Sequence, residues 1–268
     1  MNLICVDETK CIKCGICTKV CGPGILKMGK NGPEAIQPEV CIACGHCVAV
    51  CPQMALDNSK TPLANQSVLK EFPVLNAETA EQFLRSRRSI RCFKPTAVPR
   101  EQLIKLIEIA RFAPTAGNQQ DVSYRIVENK ETLKKATEVA IEWMEAQGKN
   151  PLRWSFPHHV RAYRETGIDR ILRDAPHLIL ATTPKNFSRG RENTIFSLAY
   201  LELYAPTLGL GSCWAGLLEM CLFAKHAPLL ELFNIPEDKE ITGAVMVGYP
   251  QYRYQRLVER NPLDVIWL

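Results

Sequence analysis

Apolar side chains recur along the last two thirds of the chain in two rhythms. From Glu101 to Phe112 they fall at Leu103, Ile104, Leu106, Ile107 and Ala110, the spacing that places them on one face of a helix. Val122–Val127 reads as a short strand, and Glu131–Gln147 returns to the amphipathic helical spacing. His177–Thr183 and Ile241–Val247 are almost unbroken apolar runs of strand length, which predicts buried strands. Between them Thr194–Leu208 is apolar nearly all round, with Ile195, Phe196, Leu198, Ala199, Leu201, Leu203, Tyr204 and Ala205. A helix of that kind must be covered on every side, by the core or by a second subunit. Strands and helices mixed in this way predict an α+β fold. The chain closes on an extended run, Tyr252–Leu268, whose Ile266-Trp267-Leu268 end calls for a surface to dock on.

The first 60 residues follow neither rhythm and are organised by cysteine. Nine of the 12 cysteines lie there, and eight of them obey one spacing. Cys11-Ile-Lys-Cys14-Gly-Ile-Cys17-Thr-Lys-Val-Cys21 returns 30 residues later as Cys41-Ile-Ala-Cys44-Gly-His-Cys47-Val-Ala-Val-Cys51. Each half reads C-x2-C-x2-C-x3-C, the run of the bacterial two-cluster ferredoxins. Three closely spaced cysteines let one loop wrap three corners of a cluster, and Gly15 and Gly45 let the backbone come close. In this pattern the fourth cysteine, expected at the start of a helix pointing away, ligates the other cluster. Cys11, Cys14, Cys17 and Cys51 would then hold one [4Fe–4S] cluster, and Cys41, Cys44, Cys47 and Cys21 the second. The first run ends Cys21-Gly22-Pro23 where the second ends Cys51-Pro52, so the proline is displaced by one residue. Zinc is the competing reading, but it needs pairs of cysteines separated by a spacer, four ligands to each ion. Cys5, outside the pattern, is expected to be a buried thiol, and His46 a surface or supporting residue. Disulfides are the poorer alternative in a protein expected to be cytoplasmic.

A polar stretch from Asp57 to Ser67 separates this module from the rest, which places a ferredoxin domain at 1–60, a linker at 61–77 and the larger domain at 78–268. The whole, 268 residues with 46% apolar and 23% charged side chains, has the composition of an ordinary globular protein. No apolar run approaches the roughly 18–20 residues that span a bilayer, and Met1–Asp7 has no basic or long apolar segment of a signal peptide. Neither a membrane nor, at a net charge of +5 spread along the chain, a nucleic acid is an expected partner. One basic cluster stands out: Arg85, Arg87, Arg88 and Arg91.

That cluster has companions. Arg87-Arg88-Ser89-Ile90-Arg91 ends a helical stretch, Ala113-Pro-Thr115-Ala-Gly-Asn118-Gln-Gln120 follows the next helix, and Gly209-Leu-Gly-Ser-Cys213-Trp214-Ala215-Gly216 follows the apolar helix. With Gly248-Tyr249-Pro250 and a late arginine, these segments resemble, in order and separation, the FMN-dependent nitroreductase family. The resemblance covers residues from about 78 to 268 and implies an FMN-binding α+β sandwich that pairs as a homodimer with FMN at the interface. It implies further that Arg87, Arg91 and Arg260 hold the flavin phosphate, a dianion suited to guanidinium forks. Ser89 would add a hydroxyl and Arg88 would lie along the ribityl chain or ring edge. Thr115, Asn118 and Gln120 would act from the opposite subunit, and Trp214, Ala215 and Gly216 would lie against the ring near N5. The chain departs from the family at Asp121-Val122, where Pro-Trp is common, and at Val258, where Arg256 or Arg253 would supply the missing charge. The acceptor class implied is nitroaromatics, quinones and related electrophiles, and the donor a low-potential one: reduced ferredoxin, a hydrogenase or NAD(P)H. No G-x-G-x-x-G follows a strand, and an electron-transfer flavoprotein serving a protein partner, or a specialised dehalogenase or dehydrogenase, stays open. His158 and His159 lie in Asn150–Thr166, part of a 142–166 segment that reads as an insertion covering the flavin. Cys92 and Cys221 read as core thiols, and Cys213 as a packing residue beside the glycine-rich turn.

Overall fold

A computed structural model describes residues 2–147 and 154–268. By their internal contacts they fall into two compact units: Met1–Val74 with Gly117–Gln119, and Leu75–Ala116 with Gln120–Leu268.

The first unit is built of very short elements: β1 (Ile4–Val6), α1 (Ile16–Lys19), β2 (Leu26–Met28), β3 (Pro33–Ala35), α2 (His46–Ala49) and β4 (Leu56–Asn58). β1 pairs with β4 and β2 with β3, both antiparallel, so the first and last strands close on each other. Leu3, Ile4, Ile25, Leu26, Val48 and Leu56 form the apolar centre, together with Cys17 and Cys47. Two-stranded ribbons of three residues are too small to be stable alone, so the cysteine loops have to contribute to holding the unit together. The sequence repeat reappears as a backbone repeat. Lys13 and Ala43 both sit at φ 53°, and Gly15 and Gly45 at φ 73° and 72°, each just before its short helix. Strand alternation turns Cys5 outward between Ile4 and Val6, so the expected buried thiol is exposed.

The second unit contains α3 (Ala77–Ser86), α4 (Arg100–Ala110), β5 (Ser123–Val127), α5 (Lys130–Ala146), α6 (Phe156–Thr166), β6 (His177–Pro184), α7 (Gly190–Tyr204), β7 (Gly211–Trp214), α8 (Gly216–Phe223), α9 (Ala227–Leu232) and β8 (Lys239–Gly248). The four strands form an antiparallel sheet in the order β5-β6-β8-β7. Both faces of this sheet are covered, which explains the unbroken apolar runs. Leu178 and Leu180 of β6, with Ala244 and Met246 of β8, join the cluster that also takes in α5, α6, α8 and α9. Ile179 and Ala181, with Val245 and Val247, point the other way to α4 and α7. Asn76 and Asn129 cap α3 and α5 with side-chain bonds to Thr79 N and Thr132 N.

The structure departs from the sequence reading in several places. α7 starts at Gly190, and the apolar run ends in a 3-10 turn, Ala205–Leu208, where Pro206 lacks the amide an α-helix needs. Thr194, Ser197, Leu198 and Leu201 of α7 are buried, whereas Ile195, Phe196 and Tyr200 remain exposed in the single chain. The expected glycine-rich turn is in fact the edge strand β7, and only Gly209, at φ 70°, turns the chain. Phe156–Thr166 is a helix packed on α5, with Phe156 inside the main core and its ring 5.5 Å from that of Trp143, so this part of the expected cover belongs to the body of the domain. Of the rest of that insertion, residues 142–146 end α5 and 148–153 lie outside the described residues. Cys92, expected in the core, is exposed, while Cys213 and Cys221 are buried as expected.

Candidate functional site

The eight patterned cysteines sort themselves around two hollows. Cys11, Cys14, Cys17 and Cys51 line the first; Cys21, Cys41, Cys44 and Cys47 line the second. Each hollow therefore takes three sulfurs from one repeat and one from the other. The crossing is made differently from the sequence expectation. Cys21 and Cys51 lie just past the ends of α1 and α2, after Val20 and Val50, and not at the start of a helix. It is Cys17 and Cys47 that sit inside the helices and are buried.

Backbone and side-chain donors face the sulfurs. Ala55 N is 3.3 Å from Cys51 Sγ, and Asn58 Nδ2 lies 3.8 and 3.9 Å from Cys41 and Cys47 Sγ. Burial pushes the Cys17 thiol up from its ordinary value, and the neighbouring Cys14 and Cys51 push it the same way. Burial does the same to Cys47, with Cys44 and Cys21 adding to it. Thiols in this condition become thiolates when a positively charged centre stands beside them. Among the described residues no three Cys, His, Asp or Glu side chains close on one point as a single-ion site requires. The sulfurs ring a space instead, and four soft ligands about each space fit an iron–sulfur cluster.

In the second unit, strand pairing brings three of the sequence motifs together. Ser89 forms a parallel bridge with Ser212, and Ile90 N donates to Ser212 O at 2.9 Å. Phe93 bridges Pro250, while Lys94 N donates to Tyr249 O at 2.8 Å. The arginine segment thus runs along β7 and on to the Gly248-Tyr249-Pro250 turn. Arg87 NH1 lies 3.8 Å from Glu202 Oε1. Arg88 spends NH1 on the carbonyls of Arg85 and Arg87, at 2.6 and 2.9 Å, and NH2 on that of Arg256, at 3.4 Å. Its Nε is buried with no acceptor. Arg91 is exposed. Burial pushes the Cys213 thiol up, against the pull of Arg91 and Arg173 and of a hydrogen bond from Ser89. A buried guanidinium nitrogen without an acceptor, in a segment this rich in cations, fits an anionic group such as a flavin phosphate.

The other expected residues are placed as follows. Thr115 Oγ1 accepts from Gln120 N at 3.1 Å, and Asn193 braces the loop, accepting from Ala116 N and donating to Asp121 Oδ1. Asn118 groups with the first unit, where its Nδ2 donates to the carbonyls of Ile42 and Ala43 at 2.9 and 3.0 Å. Trp214 Nε1 donates to Glu202 Oε2 at 2.8 Å, Ala215 is buried with its amide on Ala244 O, and Gly216 is exposed at the head of α8. Arg256 and Arg260 lie on the exposed tail, which Glu259 ties to α3 through Arg85. His158 Nε2 faces Arg170 NH1 at 2.6 Å, and burial together with His158, Arg170 and Arg173 holds His159 below its ordinary value. Three residues were missed in the sequence. Glu202 was hidden in an apolar helix, and Arg173 and Arg191 carried no motif. Arg191 packs over both the Trp214 and Phe223 rings and pairs with Glu219.

Comparison with known proteins gives the family. Residues 84–249 match the nitroreductase family profile. The chain belongs to the nitroreductase family. Residues 3–52 match a 4Fe–4S dicluster domain, so this nitroreductase carries an iron–sulfur domain ahead of its catalytic one. Over 171 residues it is 28% identical to an iodotyrosine deiodinase of Thermotoga neapolitana, covering 62% of this chain and 86% of the relative. Over 177 residues it is 27% identical to an Archaeoglobus fulgidus protein provisionally named NADH dehydrogenase/NAD(P)H nitroreductase, covering 65% and 87%. Its fold is that of an FMN-bound nitroreductase of Desulfitobacterium hafniense, at TM-score 0.58 and 19% identity over 72% of this chain and all of the other. An iodotyrosine deiodinase bound to FMN and 3-iodo-L-tyrosine shares the fold at TM-score 0.54 and 24% identity, over 70% and 97%. No helix among the described residues is long and apolar enough to cross a membrane.

Proposed function

We propose that this nitroreductase is an iron–sulfur flavoprotein in which two [4Fe–4S] clusters serve an FMN for the two-electron reduction of a small electrophilic acceptor. The observation that carries the reading is the division of eight cysteines into two crossed sets of four, in a chain whose other unit is a nitroreductase. Bound FMN can accept electrons singly and release them in pairs, which makes it the natural junction between clusters and an organic acceptor.

The chain's own residues have defined tasks in this reading. Cys11, Cys14, Cys17 and Cys51 hold one cluster, and Cys21, Cys41, Cys44 and Cys47 the other. Arg87, Arg91 and Arg260 bind the phosphate with Ser89, Arg256 adds charge, and Arg88 offers its buried Nε to the flavin. Trp214, Ala215 and Gly216 border the ring, and Thr115, Asn118 and Gln120 act across a homodimer. The exposed Phe196 and Tyr200 of α7, and Trp267 in the tail, supply apolar surface for a second copy. Arg88 holds the tail against the arginine segment through Arg256 O.

The acceptor is proposed to be a nitroaromatic or a quinone. A second reading, reductive dehalogenation of a haloaromatic, is favoured by the iodotyrosine deiodinase relative. The test begins with anaerobic reconstitution and iron, sulfide and flavin analysis, for which about eight irons and one FMN per chain are expected. Reduced ferredoxin, hydrogenase with H2, and NAD(P)H are then compared as donors by flavin bleaching. Nitroaromatic, quinone and iodotyrosine are compared as acceptors by reoxidation. Four irons or fewer, or a folded protein indifferent to FMN, would overturn the proposal.

A further inference from the structure

Glu202 stands where a carboxylate is least comfortable. It is 6% exposed, in a stripe of α7 otherwise made of Thr194, Ser197, Leu198 and Leu201, and it lies in the last turn of the helix, the end that disfavours negative charge. What offsets that cost is specific. Oε1 accepts from Ser212 Oγ at 3.1 Å and lies 3.8 Å from Arg87 NH1, while Oε2 accepts from the Trp214 indole N–H at 2.8 Å. One carboxylate therefore touches the arginine segment and two residues of the motif on β7. Burial pushes its pKa up, and Arg87, Ser212 and Trp214 pull it back.

Glu202 Oε1 lies 3.8 Å from Arg87 NH1, an ion-pair distance longer than a hydrogen bond, which leaves the donors of the planar fork for another acceptor. Among the described residues Glu202 is its one ion-pair partner. We propose that Glu202 is a positioning residue that fixes the Arg87 fork toward the flavin phosphate while anchoring Trp214 beside it. The inference rests on the reading of Arg87 as a phosphate ligand and deepens it. It gives the site a built-in preference for a phosphorylated flavin.

The test compares FMN with riboflavin, which differ only in the phosphate. Dissociation constants for both are measured by fluorescence on the full-length chain stripped of flavin, in wild type, Glu202→Gln, Arg87→Ala and the double variant. Glu202→Gln should weaken FMN about fivefold, the scale of one partly exposed ion pair, and leave riboflavin nearly unchanged. Added to Arg87→Ala it should cost no further discrimination, because both changes remove the same contact. Should Glu202→Gln not fold, Glu202→Asp keeps the charge but draws it back by one methylene, and a smaller loss of discrimination is expected. Equal weakening of both flavins would mean a merely structural carboxylate and would overturn the proposal, as would additive effects in the double variant. A wild type that binds FMN no better than riboflavin removes Arg87 from the phosphate site altogether, a separate failure of the underlying reading.

Discussion

The amide of Ile90 donates to the carbonyl of Ser212 at 2.9 Å, and this bond stitches the arginine segment to the free side of edge strand β7. The two lie close because Gly211 has no side chain. A methyl group placed there would come within 2.4 Å of Ile90 Cγ1 and 3.0 Å of Pro250 Cγ. Gly211→Ala is therefore expected to cost about 1–3 kcal/mol. It should lower the melting temperature and, by pushing residues 87–91 aside, weaken FMN; calorimetry with and without FMN checks both.

The crossed cysteine sets predict which losses coincide. Cys14→Ser and Cys51→Ser, 37 positions apart in sequence, line the same hollow, so each should remove the same cluster and leave about four irons per chain. Combining them should be no worse for iron content than either alone. Cys14→Ser combined with Cys21→Ser should strip both clusters. Iron analysis and the cluster spectra of reconstituted protein decide the matter. Separate clusters built from uncrossed repeats would pair Cys14 with Cys21 instead.

The two hollows are unequally covered. Cys14 is exposed and its neighbour Ile12 is 62% exposed, whereas Ile42, Ala43 and Cys44 are half-buried. Thr61 and Gln66 fold over the second loop, 3.6 and 3.4 Å from where a Gly45 side chain would begin. Iron should be withdrawn by a chelator in two phases, the faster from the cluster at Cys14. Cys14→Ser should abolish the fast phase alone.

Arg191 and Glu219 form a second brace for Trp214. Glu219 is buried, accepts from Ala244 N at 2.8 Å and faces the Arg191 guanidinium at 3.3 Å, while that guanidinium also reaches Thr242 O and packs 5.0 Å over the Trp214 ring. Removing the carboxylate leaves a buried amide and a cation without their acceptor. Glu219→Ala should destabilise the chain by about 2–4 kcal/mol, more than Arg191→Met, which retains the packing on the rings. Urea unfolding of the two variants measures the difference.

His177 gives the stability a definite pH dependence. Its Nε2 accepts from Val98 N at 2.8 Å, so the ring is neutral in the fold, and burial holds its pKa below the ordinary 6.5. The unfolded chain takes up a proton at about 6.5 and the folded chain resists it. Its contribution is fully present above about pH 6.5 and is lost as pH falls through the lowered value. Glu202, raised by burial, has the opposite sign, its contribution being lost as pH rises from the ordinary carboxylate range. His177→Gln should flatten the acid side of a stability profile recorded between pH 5 and 8. An unchanged slope would mean that other groups set it.

Much of the second unit was legible because its sheet is buried on both sides. The runs 177–183 and 241–247 are therefore apolar at most positions, and those strands were found with boundaries off by one or two residues. β7 was not found. Four residues in a glycine-rich stretch have no periodicity of their own, and its pairing with Val245–Gly248 is a non-local fact. α6 showed in the sequence only as part of an insertion, because its polar surface hides a single deeply buried anchor, Phe156. Cys5 and Cys92 show the limit of composition: cysteine is usually buried, but strand alternation and a surface loop put these two outside.

What the amino-acid order determined by itself was chemistry that depends on local spacing. Two C-x2-C-x2-C-x3-C runs specify loops that wrap clusters, and Arg-Arg-Ser-x-Arg specifies a crowd of guanidinium groups, because each needs only a few neighbouring residues. What only the tertiary structure decided was partnership between distant residues. Cys51 stands with Cys11, and Glu202 holds Arg87 and Trp214 together, because strand pairing and helix packing close long loops in one way. A carboxylate inside an apolar helix reveals its purpose only when the side chains it faces, more than a hundred residues away on one side and twelve on the other, arrive at the same place.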